Sequence, residues 1–227
     1  PVPLLHTRLG KPDALDFSIN GNGMALNPGK DIYVSTLQPK DRAVVDKAEM
    51  VFVGYGVTAP ERGWDDFKDV DLKGKVAVFL VNDPDFAAAA DEAVAGKFGG
   101  RAMTYYGRWT YKFEEASRRG AVAALIVHET EAAGYGWSVV ESPQGENYGI
   151  AKQDDEVTSL ALQGWISGGT AQKLFDDAGL DLAKLRVAAR KSDFTPVPMG
   201  SSFTADYPVE QETVQSQNVF GKIPGKA

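Results

Sequence analysis

Only two imidazoles, His6 and His128, stand in this sequence, and it contains no cysteine. A zinc or two-metal hydrolase needs several imidazoles and carboxylates converging on one point. Two separated histidines do not supply that, and thiol catalysis, disulfides and cysteine-type zinc sites are excluded outright. His6 lies near the N-terminus. His128 ends an apolar run and is followed by Glu129 and Glu131. It reads either as a ligand or general base, or as a strand-end residue hydrogen-bonded to a loop, and the second reading is preferred.

Other chemistry is equally sparse. Gly136-Trp-Ser138 begins like a nucleophile elbow but continues Val139-Val140, so the second glycine is missing. The adjacent carboxylates are Asp65-Asp66, Glu114-Glu115 and Asp176-Asp177. Helix neighbours one apart do not face each other, so the last two pairs are expected on solvated faces. Asp83-x-Asp85 and Asp154-Asp155-Glu156 offer carboxylates for calcium, without the spaced ligand series of a known loop. Gly221-Lys-Ile-Pro-Gly-Lys226 lacks the spacing and the following helix of a phosphate loop. Ser167-Gly-Gly-Thr170 opens a helix and would hold an anion or, more simply, cap that helix.

One stretch concentrates recognition chemistry. Between Gly99 and Tyr111 stand four aromatics and two arginines on a glycine-rich backbone. Such a stretch presents a stacking or carboxylate-binding surface. The competing reading makes Trp109 and Tyr111 packing residues at a helix entry and the arginines structural donors.

The elements that would position these residues follow from patterning. Of 227 residues, 43% are hydrophobic and 24% charged, which is ordinary globular composition for one large or two small domains. The net charge of −7 and the absence of a Lys/Arg cluster disfavour nucleic acid as a partner. No apolar run reaches bilayer length. Residues 16–19 and 24–26 flank Asn20-Gly-Asn-Gly23, a hairpin signal. Residues 32–36 and 50–55 read as strands. Asp71-Leu-Lys-Gly-Lys75 reads as a turn feeding a strand at 76–81, apolar on both faces and therefore central and covered. An alanine-rich helix is expected near 86–94. Residues 111–119 read as a helix, with Glu114–Arg118 and Glu115–Arg119 in the favourable i,i+4 order and Gly120 as its stop. Residues 121–128 form a buried strand, 134–149 a loop and 160–166 a strand. Ser167 and Asp181 cap two further helices. Residues 203–207 and 218–223 are the last strands. The chain opens on Pro1 without a signal peptide and closes just after an expected strand, so both ends are expected to be cut ends.

Several segments together resemble a known domain. Val51-Phe-Val-Gly-Tyr-Gly56, Gly63-Trp-Asp-Asp66 and Asp71-Leu-Lys-Gly-Lys-Val-Ala-Val-Phe-Leu80 are similar to the opening of a protease-associated domain. The helix at 112–119 followed by Gly120-Ala-Val-Ala-Ala-Leu-Ile-Val-His128 resembles its second half. The strings Gly100-Arg-Ala-Met-Thr-Tyr-Tyr-Gly-Arg-Trp109 and Ile126-Val-His-Glu-Thr130 narrow the likeness to the domain inserted in bacterial secreted zinc aminopeptidases, the family that contains aminopeptidase Y and glutamate carboxypeptidase. The likeness runs from about Met50 onward, and residues 1–48 resemble a less regular lead-in.

That resemblance implies one α+β domain over 1–227, a protease-associated domain of mixed β-sheets or a partly open barrel flanked by a few short helices. Residues 49–217 would be its core and 218–227 the start of a strand leading into a catalytic domain. None of the family's zinc ligands, nor its catalytic glutamate, has a matching position here. The resemblance therefore implies no catalytic residue, no metal ligand and no cofactor in this chain, and two zinc ions in the catalytic peptidase domain. The implied partners are that domain, on the same polypeptide, and a peptide substrate. Export to the periplasm, the outer membrane or the medium is implied too. Tyr105, Tyr106, Arg108 and Trp109 are the expected substrate contacts, Arg108 meeting a carboxylate and the aromatics lining a side-chain pocket. The alternative is a free-standing peptide- or sugar-binding module using the same segment.

Overall fold

The computed structural model of the protein describes residues 1–152 and 158–225. Strands β1 (Val2–Leu9), β2 (Ala14–Ile19), β3 (Asn22–Ala25), β4 (Ile32–Ser35) and β5 (Arg42–Phe52) lead. A two-strand ribbon, β6 (Thr58–Ala59) and β7 (Trp64–Asp65), precedes β8 (Val76–Leu80). Helix α1 (Trp109–Arg118), β9 (Ala123–Val127), α2 (Thr130–Ala133), α3 (Trp137–Glu141) and β10 (Glu146–Ile150) follow. The described chain ends with β11 (Leu162–Ile166), α4 (Gly168–Asp177), α5 (Leu182–Ala188) and the long β12 (Val197–Ser216).

The strands form a mixed sheet in the order β10-β1-β12-β5-β8-β9-β11-β4, with β2 on β12 and β3 on β2, curled into a half-barrel with a few short helices. β5, β8, β9 and β11 run parallel; the other pairings are antiparallel. The architecture is α+β, as the patterning predicts.

The central strands are apolar on both faces because both faces are covered. Val76, Val78 and Leu80 join Leu125, Phe175 and Leu182 in one cluster. Ala77 and Phe79 join Ile126, Phe113 and Ala116 in the other. Helices α4 and α5 thus cover one face and α1 the other. Gly164 lets β4 approach β11: a Cβ there would stand 1.9 Å from the Tyr33 carbonyl oxygen. β12 pairs with β5 along one edge and with β2 and then β1 along the other, and its register on β5 shifts beside Gly200, whose φ is 62°.

Several expectations require correction. Residues 1–48 carry regular strands, with β1 paired on both sides by β10 and β12; the hairpin expected at Asn20-Gly21 does form, with both residues at positive φ. Residues 86–94 are not a helix. Their backbone closes successive three-residue turns, Ala88 to Asp85, Glu92 to Ala89 and Ala95 to Glu92, without four-residue bonds. Residues 134–149 hold α3 and most of β10. No strand forms at 218–223, because β12 stops at Ser216 and nothing described pairs with the backbone beyond it. Among the described residues, no helix is long and apolar enough to cross a membrane.

Candidate functional site

The glycine-rich stretch before α1 is tied down by buried polar groups. Asp83 accepts the Thr104 backbone N–H (2.6 Å) and its hydroxyl (2.8 Å). Asp85 accepts the N–H groups of Phe98 (2.9 Å) and Gly100 (3.1 Å) through Oδ2, while its Oδ1 is buried without a partner. Lys112, wholly buried on the inner side of α1, donates to the carbonyls of Tyr55 (2.6 Å), Asn82 (3.1 Å) and Tyr106 (3.4 Å). Burial lowers its ammonium to about 8 against the opposing pull of Asp83 and Asp66. Asp66 accepts Val57 N–H and the Trp64 indole, and burial raises its carboxyl to about 7. The Asp83-x-Asp85 pair is therefore loop scaffolding; three of its four oxygens already accept hydrogen bonds.

This scaffold separates the four expected contact residues. Tyr105 and Tyr106 sit together, ring centroids 6.5 Å apart, and both pack against Tyr111. Tyr106 is half-buried against Phe98, beneath the Arg62 guanidinium 5.5 Å from its ring, with its hydroxyl on Glu61 (2.8 Å). Tyr105 is 55% exposed and donates to Glu114 (2.7 Å). Arg108 is exposed at the position preceding α1, with no side-chain hydrogen bond or ion pair to another described residue. Trp109, 46% exposed, turns edge-to-face onto Phe113 of α1.

Trp109 and Phe113 border two adjoining recesses, of about 470 and 300 Å³, which also share Asn147 of β10 and Gln163 of β11. The larger half adds Glu114, Arg118 and Tyr148. The smaller half is aromatic, walled by Tyr33, Tyr135 and Trp165. Gln163, Asn147 and Trp165 escaped the sequence reading. The signal was a single amide within the apolar run Leu160-Ala-Leu-Gln-Gly-Trp-Ile166. A larger recess of about 590 Å³ lies between Pro28–Val34 and α3; among the described residues, Glu141 is the one charged side chain lining it.

The remaining candidates behave as structural groups. His128 Nε2 lies 3.1 Å from the Tyr135 carbonyl, with the ring enclosed by Tyr135, Trp137 and Trp165, which matches the strand-end reading. His6 stacks on Tyr148 (4.3 Å) and places Nδ1 3.0 Å from Glu212. Ser138 is exposed on a five-residue helix. Ser167 caps α4 by accepting Thr170 N–H. Glu115 departs from expectation: it is buried, not solvated, and binds Arg118, Arg119 and Thr58. The Asp154-Asp155-Glu156 turn lies outside the described residues. Among the described residues, no group of three or more His, Asp or Glu side chains converges as a metal site.

No family model matches the sequence, and no curated protein matches it. Among solved structures, the chain is similar to the aminopeptidase from Aneurinibacillus sp. strain AM-1, with a TM-score of 0.38 and 18% identity. The similarity covers 94% of this chain and 35% of that one, so the chain spans about a third of the aminopeptidase's length.

Proposed function

We propose that this chain is a non-catalytic accessory domain, protease-associated in type, of an exported zinc-dependent aminopeptidase. It would wall or cover the active-site cleft and restrict which peptides enter. The supporting observation is the display of Tyr105 and Trp109. Both remain exposed on a stretch that Asp83, Asp85 and Lys112 hold from beneath. Buried anchors spent on ordering a loop whose aromatics face solvent suit recognition better than core packing. The residue strings that resemble the aminopeptidase family support this choice of parent protein. The two zinc ions and the hydrolytic groups belong, on this reading, to the catalytic peptidase domain of the same polypeptide, and the substrate is a peptide.

The coding sequence beyond codon 227 tests the reading. A His-x-Asp zinc motif is expected shortly downstream, and an immediate stop codon overturns the proposal. A second arm incubates the chain alone with zinc and aminoacyl 4-nitroanilides. No release of nitroaniline is expected, and turnover that survives repurification would make the chain an enzyme in its own right. The rival, a free-standing peptide- or sugar-binding module, draws support from the recesses beside Trp109, both lined by residues of this chain.

A further inference from the structure

We propose that the aromatic recess beside α1 is a subsite for one large apolar side chain of a peptide, aromatic by preference, and that the Gln163 carboxamide pairs with the adjoining peptide bond. The inference deepens the accessory reading and rests on it only for the statement that the peptide is a peptidase substrate.

Gln163 carries the argument. It is 7% exposed and lines both halves of the groove, yet its carboxamide makes no hydrogen bond to any described residue. Its oxygen and nitrogen are not among the atoms sealed from solvent without a partner, so they open onto the groove, where a ligand can meet them. β11 is paired on both sides, to β9 and β4, which fixes the backbone beneath Gln163. A carboxamide carries one acceptor oxygen and two donor hydrogens, which match the N–H and C=O of a peptide bond.

The surroundings choose the rest of the ligand. Trp109, Phe113, Tyr33, Tyr135 and Trp165 present ring surface around about 300 Å³, the small end of ligand cavities and room for a single side chain. Aromatic walls favour an aromatic guest through offset and edge-to-face contacts. The nearest side-chain amide and carboxylate are already committed. Asn147 donates to Ser35 (2.9 Å) and accepts from Tyr148 N–H (2.9 Å), and Glu146 is bound by Arg8. A sugar needs several open partners around its ring, whereas the wall of the smaller half is mainly ring surface. A neutral guest with an apolar ring and one amide matches these walls and the Gln163 carboxamide. The adjoining half, with Glu114 and Arg118 at its side, leaves a path for the chain on either side of the bound residue.

The test titrates the whole chain with N-acetylphenylalaninamide, N-acetylglycinamide and N-acetylglucosamine, followed by the Gln163 side-chain and Trp109 and Trp165 indole N–H resonances. N-acetylphenylalaninamide should bind saturably with Kd of about 1–10 mM and move these signals. The glycinamide should bind at least about tenfold more weakly, and the sugar should not saturate. Gln163→Leu, close in size, and Trp109→Ala, on the exposed rim, should each weaken phenylalaninamide binding by about fivefold or more, with denaturation midpoints measured alongside. Absence of saturable binding, tighter binding of the sugar, or phenylalaninamide binding unchanged in a folded Gln163→Leu variant overturns the subsite. None of these outcomes bears on the downstream coding sequence, so the accessory reading stands or falls separately.

Discussion

Lys112 carries an ammonium into the interior, where three backbone carbonyls and the field of Asp66 and Asp83 hold it. Replacing it with Met keeps the length but strands those carbonyls and removes the cation from between two carboxyls. Lys112→Met should cost about 3 kcal/mol or more in urea unfolding at neutral pH. Amide exchange should rise first across 98–108, the stretch hung from these anchors. Asp66 gives the matching pH prediction. Its carboxyl is raised from an ordinary 3.8 to about 7, mainly by burial. The folded state therefore holds this proton over a range where the unfolded state has released it. Its contribution is complete below about pH 4 and is lost as pH rises through about 7, a change on the order of 4 kcal/mol. Asp66→Asn, having no proton to lose, should show a shallower fall in denaturation midpoint between about pH 5 and about pH 8 than the unaltered chain. An equal fall in both places the titration elsewhere. At this scale the sequence was partly legible. The string from Tyr105 to Trp109 advertises recognition by composition. Which of its rings face solvent depends on Asp83, Asp85 and Lys112, whose partners are mostly backbone atoms and leave little trace in side-chain pattern.

Elements were legible where local signals and burial agree. The all-apolar runs at 76–80 and 123–127 became central strands, and Ser167 and Asp181 capped the helices that follow them. The i,i+4 pair of Glu115 and Arg119 formed at 2.9 Å. Elements were misread where a remote partner decides. Residues 86–94 have the alanines of a helix, but their turns close at three residues, and Arg190 takes hold of the segment from outside through the Ala87 carbonyl and Glu92. β10 is short, half-exposed and glycine-containing, and it exists through pairing with β1, some 140 residues earlier. Gly164 provides a sharp test of such long-range fixing. It lies in β11 between β9 and β4, and an added Cβ would meet the Tyr33 carbonyl at 1.9 Å and the Val34 Cα at 2.8 Å. Both are backbone atoms of a paired strand and neither can rotate aside. Gly164→Ala should cost roughly 3 kcal/mol by overpacking and raise amide exchange along β4 before β9. Because Gln163 is the preceding residue, the same variant should also weaken N-acetylphenylalaninamide binding, whereas Gly23→Ala, with open space around its Cβ, should change neither.

At the scale of the whole molecule, the half-barrel completes its core without the segment beyond β12. Both clusters close around strands and helices that end by Val209, while Val219, Phe220 and Ile223 are 96%, 89% and 95% exposed. Three large apolar side chains fully in water within five residues contribute nothing to the stability of this domain, and burying each elsewhere would gain roughly 2 kcal/mol. Their pattern read as a strand because β-propensity reports a readiness to pair, and pairing needs a neighbour. On the accessory reading that neighbour is the sheet of the catalytic domain. The expected outcome has two parts. In this chain alone, amides at 218–223 should exchange at rates close to those of an unstructured peptide, and a chain ending at Ser216 should keep the same denaturation midpoint. In the longer polypeptide the same amides should become protected by a hundredfold or more, about 3 kcal/mol of local opening free energy. Protection already present in the isolated chain would mean that the segment docks on the half-barrel itself, and the exposed trio would then be a lid of this domain and not a joint to the next.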